Sequence, residues 1–398
     1  MVHKVYADNA ATTKMSPTAI QTAIRYMEGE YGNPSSLYEM GQKTKEAVEQ
    51  ARADIAACFG AKPNEIIFTS GGSEADNQAL FTGAMIGQRK GKMHIISTAF
   101  EHHAVLHTLK KLETMGFTVT LLPVHENGIV RPEEVKAAIT PDTALVSVMY
   151  ANNEIGTIQP IAEIGAVCRA AGVLFHTDAV QAAGHLHINV KEENIDMLSL
   201  SAHKFHGPKG MGALYMRTGV RPYVLIEGGA QERGRRAGTE NVPGIMAMAA
   251  ALKESCEAID RNMVKVGAMR DRLIEGLSRI PHSALNGDRT HRLPGNVNFC
   301  FEAIEGESLL LLLDDAGVEA SSGSACTSGS LDPSHVLLAI GRPHEIAHGS
   351  LRLTLSEYNT EADVDHILRE VPRIVELLRN MSPIWEEQQK GLKEYVIQ

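Results

Sequence analysis

Short apolar segments alternate with amphipathic helical patterns between about residues 65 and 217. Continuous apolar segments of this length are typical of strands that are buried on both faces of a parallel sheet. The predicted strands are 66–68, 94–96, 119–124, 145–150, 173–176, 197–200 and 213–216. The helical patterns begin at Ser73 and His103 and cover 132–139 and 161–171. This alternation predicts an α/β fold built on a mainly parallel seven-stranded sheet.

The C-terminal part of the chain has a different pattern. Residues 243–280 predict one long helix that links two domains, and the segments after it predict a smaller α+β unit. Those segments are 296–299, 308–313, 350–355 and 362–378. The polar tail after Trp385 is expected to be loosely ordered. We therefore expect a large domain over residues 15–259, and a small domain that combines residues 1–14 with residues 260–398.

Composition and charge argue against several classes of function. Hydrophobic residues make up 43% of the 398 residues and charged residues 22%, which is ordinary for a soluble globular protein. The formal net charge of -10 argues against a general affinity for nucleic acid or anionic lipid. The first residues do not resemble a signal peptide, and the longest aliphatic run, residues 309–313, is too short to cross a bilayer. We therefore expect a cytoplasmic protein whose partners are neither nucleic acids nor membranes.

The five cysteines are dispersed along the chain and form no C-x-x-C pair. This spacing argues against a disulfide framework or a tetrahedral zinc site, and the 17 histidines include no H-E-x-x-H motif. We therefore expect no fixed metal site. Most of the cysteines are expected to be buried small apolar residues, with Cys58 at a helix end and Cys168 and Cys256 within helical patterns.

Cys326 differs from the other cysteines because small, mostly polar residues surround it throughout 321–330. Such a segment cannot pack a core, so it predicts an exposed and mobile loop. A thiol on a mobile loop suits a nucleophile that reaches one site and then presents its product elsewhere. A linker with an incidental thiol is the alternative, and the loop alone does not exclude it.

Polar residues gather where the predicted strands end, which is where ligands bind in parallel α/β sheets. Lys204 follows one strand in a turn with Ser201 and His203, an arrangement that suits a lysine forming a Schiff base with pyridoxal phosphate (PLP). Ser201 and His203 can then donate to the phosphate. Asp178 ends the preceding strand, where a carboxylate can pair with the pyridine nitrogen of PLP or cap the next helix. Gln181 can donate to the phenolic oxygen of the ring.

For some of the other candidate residues, an ordinary structural role is an alternative to the functional role. Gly72 and Ser73 open a helix where free amides favour a phosphate, although Ser73 also suits a simple helix cap. His102 can stack on an aromatic ring or move protons. Asn153 can bind a ring oxygen or a substrate carboxylate, or only shape a turn. Arg352 interrupts an apolar strand with a guanidinium suited to the carboxylate of an amino acid.

The segment 228–239 is rich in glycine and arginine. Arginines can indicate nucleic-acid binding, but this segment lacks interleaved aromatic residues and the chain is acidic. The interpretation that we prefer is a loop that delivers Thr239 and nearby amides to a phosphate.

Together these motifs resemble the PLP-dependent cysteine desulfurases of the NifS/IscS type, within the fold-type I, class V aminotransferase family. The similarity covers nearly the whole chain, from residues 8–13 to residues 382–383. The small-residue segment around Cys326 resembles the group I branch. The most specific motifs are 201–204, 232–239 and 321–329. The resemblance implies the two-domain PLP-dependent transferase fold and the conversion of L-cysteine to L-alanine, with the sulfur held as an enzyme persulfide for iron–sulfur cluster assembly.

The resemblance also implies a role for each candidate residue. Lys204 is the Schiff-base lysine, Cys326 is the sulfur acceptor, and His102 transfers protons at the substrate thiol. The residues that would hold PLP are Gly72, Ser73, His102, Asn153, Asp178, Gln181, Ser201, His203 and Lys204, with Thr239 from the partner subunit of a homodimer. The substrate carboxylate would be bound by Arg352, Asn33 and Asn153. A metal contact is expected at most transiently, through the persulfide on Cys326, during handover to an iron–sulfur scaffold or another acceptor protein.

Other functions remain open at this point. A selenocysteine lyase or an aminotransferase on the same scaffold would share the residues for PLP, although an aminotransferase has no need of Cys326. An inactive partner in sulfur transfer would keep the fold without PLP and without alanine formation. The sequence does not identify the sulfur acceptor.

Overall fold

The computed structural model describes residues 3–323 and 333–397, and no helix within these residues is long and apolar enough to span a membrane. The strands are β1 (Val5–Tyr6), β2 (Ile66–Thr69), β3 (His94–Thr98), β4 (Thr118–Leu122), β5 (Thr143–Ser147), β6 (Leu174–Asp178), β7 (Met197–Ser201), β8 (Gly212–Met216), β9 (Ser283–Leu285), β10 (Asn296–Phe301), β11 (Val318–Glu319) and β12 (Ser350–Thr354). The helices are α1 (Pro17–Glu28), α2 (Glu39–Cys58), α3 (Gly72–Gln88), α4 (His103–Glu113), α5 (Pro132–Ala138), α6 (Ile161–Ala171), α7 (Val242–Glu257), α8 (Ile259–Leu277), α9 (Gly306–Asp315), α10 (His335–Ala339), α11 (His344–Ala347), α12 (Glu361–Asn380) and α13 (Pro383–Gln389).

A seven-stranded sheet has the order β2-β8-β7-β6-β5-β3-β4. Neighbouring strands are parallel except at β8, which runs antiparallel to both β2 and β7. The strands β2, β3, β5, β7 and β8 are buried along their whole length, as their continuous apolar sequences predict. The prediction of a mainly parallel seven-stranded sheet is confirmed.

Helices cover both faces of this sheet. On one face, Ala79 and Leu80 of α3 pack with Leu145 of β5 and Leu214 of β8. On the other face, apolar side chains of α1, α2, α6 and α7 form a second buried cluster that includes Ile55. Because both faces are covered, the ends of the strands are the places where the sheet can receive a ligand.

The C-terminal part of the chain forms its own hydrophobic core. β10 pairs antiparallel with β12 and β9, and α8 and α12 pack there through residues such as Leu273 and Ile367. β1 joins this core through Val5 and pairs with β11. In contrast, Val336 of α10 and Ile346 of α11 lie in the core of the large sheet. The division into residues 15–259 and the rest of the chain therefore stays a prediction.

The prediction of a single helix over 243–280 is wrong, because the chain forms α7 and α8 with a break between them. At the break, Ala258 has φ -100° and ψ -2°. Met248 of α7 is buried in the core of the large sheet, whereas Met269 of α8 is buried in the C-terminal core. The break lets each helix direct its apolar face into a different core, which a continuous helical pattern does not reveal.

The C-terminal tail is ordered, contrary to the expectation from its polarity. The backbone amides of Val396 and Ile397 each donate to the carboxylate of Glu302 at 2.9 Å. The ring of Tyr395 stacks on that of His282, with the centroids 3.6 Å apart. These hydrogen bonds add to the one that Gln388 Nε2 of α13 donates to the same buried carboxylate at 2.6 Å, and they stabilise the position of the tail.

Candidate active site

The predicted site residues meet at the carboxyl ends of β6 and β7, which are adjacent and parallel in the large sheet. A cavity of about 300 Å³ lies there, and it is also lined by the start of α3 and by β12. This volume is at the lower end of the range for cofactor sites. The predicted residues that line the cavity are Gly72, Ser73, His102, Asn153, Asp178, Gln181, Ser201, His203, Lys204 and Arg352.

Lys204 is held in the cavity by contacts from two other parts of the chain, the backbone of Ala10 and Ala11 and the side chain of His185. β7 ends and the chain turns at once into a short 3-10 helix that contains Lys204. The Nζ of Lys204 donates to the carbonyl oxygens of Ala10 at 2.6 Å and Ala11 at 2.8 Å. The carbonyl oxygen of Lys204 accepts from His185 Nε2 at 2.9 Å. Sequence reasoning gave Ala10 and Ala11 no role, because backbone carbonyl groups carry no side-chain signal.

The start of α3 forms a small cradle with free backbone amides. A side chain at Gly72 would place its Cβ 2.7 Å from Val180 Cγ2 and 3.5 Å from Ser201 Cβ, so glycine is needed to keep this space open. The hydroxyl-bearing residues Ser73 and Ser201 line the cavity beside it. Amide and hydroxyl donors at a helix N-terminus suit a phosphate group.

The two predicted histidines of the site are neutral near pH 7. Burial, reinforced by the charge of Lys204, lowers the pKa of both His102 and His203 to about 4. His102 Nδ1 accepts from the backbone amide of Ala104 at 3.1 Å, which leaves the ring proton on Nε2. His203 Nδ1 lies 3.1 Å from Thr12 Oγ1. A neutral imidazole can accept and return a proton, as chemistry at a substrate thiol requires.

Asp178 ends β6 with a buried carboxyl group. Its Oδ1 accepts from the backbone amide of Val180 at 2.9 Å. Burial raises the pKa of Asp178 to about 6, although the positive charge of Lys204 acts in the opposite direction. A buried carboxyl group gains from a neighbouring cation such as a protonated pyridine nitrogen. Gln181 Nε2 donates to the carbonyl oxygen of Ala10 at 3.1 Å, the same oxygen that Lys204 contacts.

Two further buried carboxyl groups lie close to Asp178, and sequence reasoning missed them. Asp76 lines the cavity, and burial together with the charge of Asp178 holds its pKa well above the usual range. Its Oδ1 has no hydrogen-bond partner among the described residues. Burial also raises the pKa of Glu101 to about 8. Both groups therefore favour the protonated form near Asp178. The signal that could have found Glu101 is its position just after the end of β3.

Arg352 lies in the middle of β12 and is buried. Its Nη2 donates to Asp8 Oδ1 at 2.7 Å, and its Nη1 donates to the carbonyl oxygen of Asn153 at 3.1 Å. Its Nε has no hydrogen-bond partner within the part of the chain that the structure describes. A buried guanidinium with a donor to spare, beside a cavity, suits a carboxylate ligand. Asp8 was missed, although its place at the start of the motif 8–13 could have drawn attention to it.

Three predicted residues are not brought to the cavity by the described chain. Asn33 is exposed in the loop between α1 and α2, where its Oδ1 accepts from the backbone amide of Ser35 at 2.9 Å. Thr239 is also exposed, and its predicted place is in the site of a partner subunit. Cys326 lies outside the described residues, so its role stays a prediction.

The residues that flank 324–332 lie next to the site. Gly323 lines the cavity, and with φ at +98° a Cβ there would lie 2.9 Å from Glu154 Oε2. On the other flank, Ser334 Oγ donates to the same carboxylate, which is buried. His335 Nε2 lies 3.0 Å from the carbonyl oxygen of Glu101. Glu154 therefore accepts a hydrogen bond from one flank of 324–332, at Ser334, and leaves no room for a side chain on the other flank, at Gly323.

The arginines of 228–239 have partners within the chain. Arg236 Nε donates to Glu74 Oε1 at 2.9 Å. Arg233 Nη2 donates to Glu49 Oε2 at 3.2 Å. Within the same segment, Glu232 forms a bidentate ion pair with Arg52, in which both hydrogen bonds measure 2.7 Å. The carboxylates paired with Arg233 and Arg236 neutralise positive charge of the segment, which argues against nucleic-acid binding by it. Over residues 3–323 and 333–397, no group of three or more His, Cys, Asp or Glu side chains is placed to hold a metal ion.

The chain belongs to the class-V aminotransferase family, whose profile (Aminotransferase class-V) matches residues 5–367. A curated relative named Cysteine desulfurase IscS, from Clostridium botulinum (strain Hall), is 54% identical over 99% of this chain and 100% of the relative. A protein of the same name from Methanosarcina thermophila is 55% identical over 98% of this chain and 96% of that protein.

Solved structures show the same similarity. A structure described as a NifS-like protein has a TM-score of 0.89 and 38% identity, and the match covers 94% of this chain and 100% of that one. DndA from Streptomyces lividans has a TM-score of 0.76 and 38% identity, with 88% of this chain and 99% of that one covered. These comparisons confirm the resemblance and the predicted fold class. Enzymes of this family generally depend on PLP.

Proposed function

We propose that this protein is a PLP-dependent cysteine desulfurase. It converts L-cysteine to L-alanine and transfers the sulfur to Cys326 as a persulfide, for delivery to iron–sulfur cluster assembly. The observation that carries the proposal is the position of Lys204, Asp178 and Arg352 around one cavity of about 300 Å³. Relatives that are named cysteine desulfurases and are 54% and 55% identical to this chain support it.

The chemistry of the cavity fits PLP at both ends of the cofactor. The open space at Gly72 and the amides of α3 suit the phosphate group. The buried carboxyl group of Asp178 suits the pyridine nitrogen. The other residues proposed to contact PLP are Ser73, His102, Asn153, Gln181, Ser201 and His203, all of which line the cavity. When bound, PLP supplies an electron sink for the negative charge that develops on the substrate.

The side chains of this protein then position the substrate and move its protons. Arg352 binds the carboxylate, with Asn33 and Asn153 as the proposed supporting residues. Lys204 holds the cofactor through Nζ and takes the proton from the Cα of the substrate. His102 is neutral and transfers a proton at the substrate thiol. The thiolate of Cys326 attacks the substrate sulfur, so that a C–S bond breaks and an S–S bond forms.

The proposal includes a homodimer that acts in the cytoplasm. Thr239, which is exposed within one chain, would complete the phosphate site of the partner subunit. The large domain, residues 15–259, would hold PLP, and the small domain, residues 1–14 with 260–398, would carry Cys326. The sulfur would pass to an iron–sulfur scaffold or another acceptor protein.

The test supplies purified protein with PLP and L-cysteine and measures alanine, together with sulfide released by a thiol reductant. We expect Lys204→Ala to form no alanine. We expect Cys326→Ser to keep the absorbance of bound PLP but to lose sulfur release. Sulfur release that survives in Cys326→Ser, or wild-type protein that binds no PLP, would contradict the proposal. Activity on L-selenocysteine but not on L-cysteine would indicate a selenocysteine lyase instead.

A further inference from the structure

His206, two residues after Lys204, faces a carboxylate from the C-terminal part of the chain. Its Nε2 lies 3.3 Å from Glu357 Oε2, and the side chains are 4% and 27% exposed, respectively. Glu357 comes shortly after β12, the strand that contains Arg352. The contact therefore joins the turn that carries Lys204 to the region that carries Arg352.

The imidazole of His206 projects from a backbone that is fixed by the N-terminal segment. The amide of His206 donates to Thr13 Oγ1 at 2.9 Å, and its carbonyl oxygen accepts from the amide of Ser16 at 2.9 Å. The φ angle of +63° lies in the left-handed region, which histidine adopts more readily than most residues. The ring of Tyr358 packs against the imidazole in a T-shaped arrangement, with the centroids 5.1 Å apart. Both the backbone and the ring of His206 are thus held in place.

The hydrogen bonds of the ring favour its charged form. His206 Nδ1 lies 2.9 Å from the carbonyl oxygen of Lys14, and because a carbonyl oxygen only accepts, Nδ1 carries a hydrogen. In the neutral ring, Nε2 would then direct a lone pair at the carboxylate of Glu357. Nε2 is buried and has no hydrogen-bond partner among the described residues, so no other group satisfies it. A proton on Nε2 removes this conflict and gives an imidazolium that faces a carboxylate.

The surrounding groups act in the same direction. Burial acts to lower the pKa of His206, but neighbouring acceptors outweigh burial and raise it. The largest of their effects comes from Glu357, followed by the carbonyl oxygen of Lys14 and the carboxylate of Glu254 on α7. Burial acts to raise the pKa of Glu357, but His206 lowers it to about 2, and His185 has a weak effect of the same sign. Since the pKa of His206 is raised by folding, the ion pair is complete at low pH and is lost as the pH rises through that pKa.

We propose that the ion pair of His206 and Glu357 holds the turn that carries Lys204 at its distance from Arg352. Glu357 is anchored to the C-terminal part of the chain, because Lys265 Nζ of α8 donates to its carbonyl oxygen at 2.6 Å. Neither His206 nor Glu357 lines the cavity, so both are positioning residues. This role rests on the proposed function, in which Lys204 and Arg352 act on one amino-acid substrate. Loss of the pair at high pH should therefore weaken substrate binding.

The ionisation of the pair is tested in the full chain by NMR of ring-labelled histidine over a range of pH. The resonance of His206 is assigned by its loss in His206→Asn, since asparagine tolerates positive φ but carries no charge. We expect the pKa of His206 to be lower in Glu357→Gln than in the wild type, because the amide keeps the shape of the carboxylate without its charge. His187, whose exposed ring lies 2.8 Å from Asp260 Oδ1, is the internal control and should titrate alike in both proteins. An equal pKa of His206 in the two proteins would overturn the proposal.

The positioning effect is tested by measuring the KM for L-cysteine of the wild type and of Glu357→Gln, with the absorbance of PLP as a check on the cofactor. The measurement is made at pH 6 and at a pH well above the measured pKa of His206. The ratio of the two KM values is compared between these pH values, because the ionisation of L-cysteine itself cancels in it. We expect the KM of Glu357→Gln to exceed that of the wild type about threefold or more at pH 6, and not to exceed it at the higher pH. The kcat should change less than KM.

Two further variants separate positioning from a general loss of stability. His206→Asn should raise KM at pH 6 as Glu357→Gln does, and the double variant should be no worse than either single variant, because both remove the same ion pair. His187→Asn, which removes an exposed pair of the same type, should leave KM unchanged. A KM ratio that is the same at both pH values, or effects that add in the double variant, would refute the positioning role. If the wild type forms no alanine, this role fails together with the proposed function, and the NMR titration still decides whether the ion pair forms.

Discussion

Replacing Arg352 with lysine tests whether the geometry of the guanidinium, and not only its charge, binds the substrate. Nη2 and Nη1 are used by Asp8 at 2.7 Å and by the carbonyl oxygen of Asn153 at 3.1 Å. These contacts fix the plane of the group and leave Nε without a partner among the described residues. A lysine ammonium is a point charge on a flexible chain, so Arg352→Lys keeps the positive charge but loses the planar arrangement of N–H donors.

The expected magnitude follows from the number of hydrogen bonds lost. We expect Arg352→Lys to lose at least one charge-assisted hydrogen bond to the substrate carboxylate, which is worth about 1.5–3 kcal/mol. At 1.4 kcal/mol per factor of ten, the KM for L-cysteine should rise about 10- to 150-fold. Because the carboxylate is bound in the substrate and in the transition state alike, kcat should change less than KM.

The assay measures alanine formation against L-cysteine concentration, with the absorbance of PLP as a check that the cofactor is bound. Asp8→Asn is the matched control, because it keeps the shape of the side chain and an oxygen acceptor for Nη2. Its KM should change less than that of Arg352→Lys. An unchanged KM in Arg352→Lys protein that binds PLP normally would refute the assignment of Arg352 to the carboxylate.

Three other substitutions test the site and the segment 228–239. Asp178→Asn should retain PLP but lower alanine formation on the order of a hundredfold or more, because a neutral amide cannot stabilise the pyridinium. In the cofactor-free wild type, folding raises the pKa of Asp178 from 3.8 to about 6, so the free energy of unfolding should fall as pH rises between these values. Urea denaturation over that range should show a steeper fall in the wild type than in Asp178→Asn, because Glu101, whose pKa burial also raises, contributes to both proteins. His102→Gln should lower the rate of alanine formation roughly 10²- to 10⁴-fold with PLP absorbance intact; a smaller loss would exclude proton transfer by His102. Glu232→Gln should cost up to about 3–5 kcal/mol in urea denaturation, because buried Arg52 keeps only the half-exposed Glu49 as an ion-pair partner, and the double variant Arg52→Met/Glu232→Leu should recover much of that loss.

The sequence predicted the parts of the fold that depend on local pattern. The strands of the large sheet are recognisable because they are buried along their length, as in β7, where every residue is buried. The position of Lys204 follows from the same pattern, since the chain must turn where the apolar segment ends. The break at Ala258 was not predictable in this way, because it depends on which of two cores each helix faces.

The features that could not be predicted from the sequence are mainly contacts between residues that are far apart along the chain. Lys204 and Ala10 are 194 residues apart, and the contact uses a backbone carbonyl group that has no residue-specific signal. Asp76 was missed for a different reason, since an aspartate inside a helix is ordinarily a solvated surface residue.

The N-terminal segment 8–13 contacts both the residue proposed to bind the substrate carboxylate and the lysine proposed to bind the cofactor. At one end Asp8 contacts Arg352 of β12, and the amide of Ala10 donates to Thr354 Oγ1 at 2.8 Å. The carbonyl oxygen of Ala10 accepts from Lys204, and the amide of Thr13 donates to the carbonyl oxygen of His203 at 2.9 Å. The group proposed for the substrate carboxylate and the lysine proposed for the cofactor are thus both fixed to one short stretch of backbone. The distance between the carboxylate and Cα is the same in every amino acid. A segment that holds the side chains of Arg352 and Lys204 at a fixed separation therefore selects for amino-acid substrates. This selection requires no contact with the side chain of the substrate.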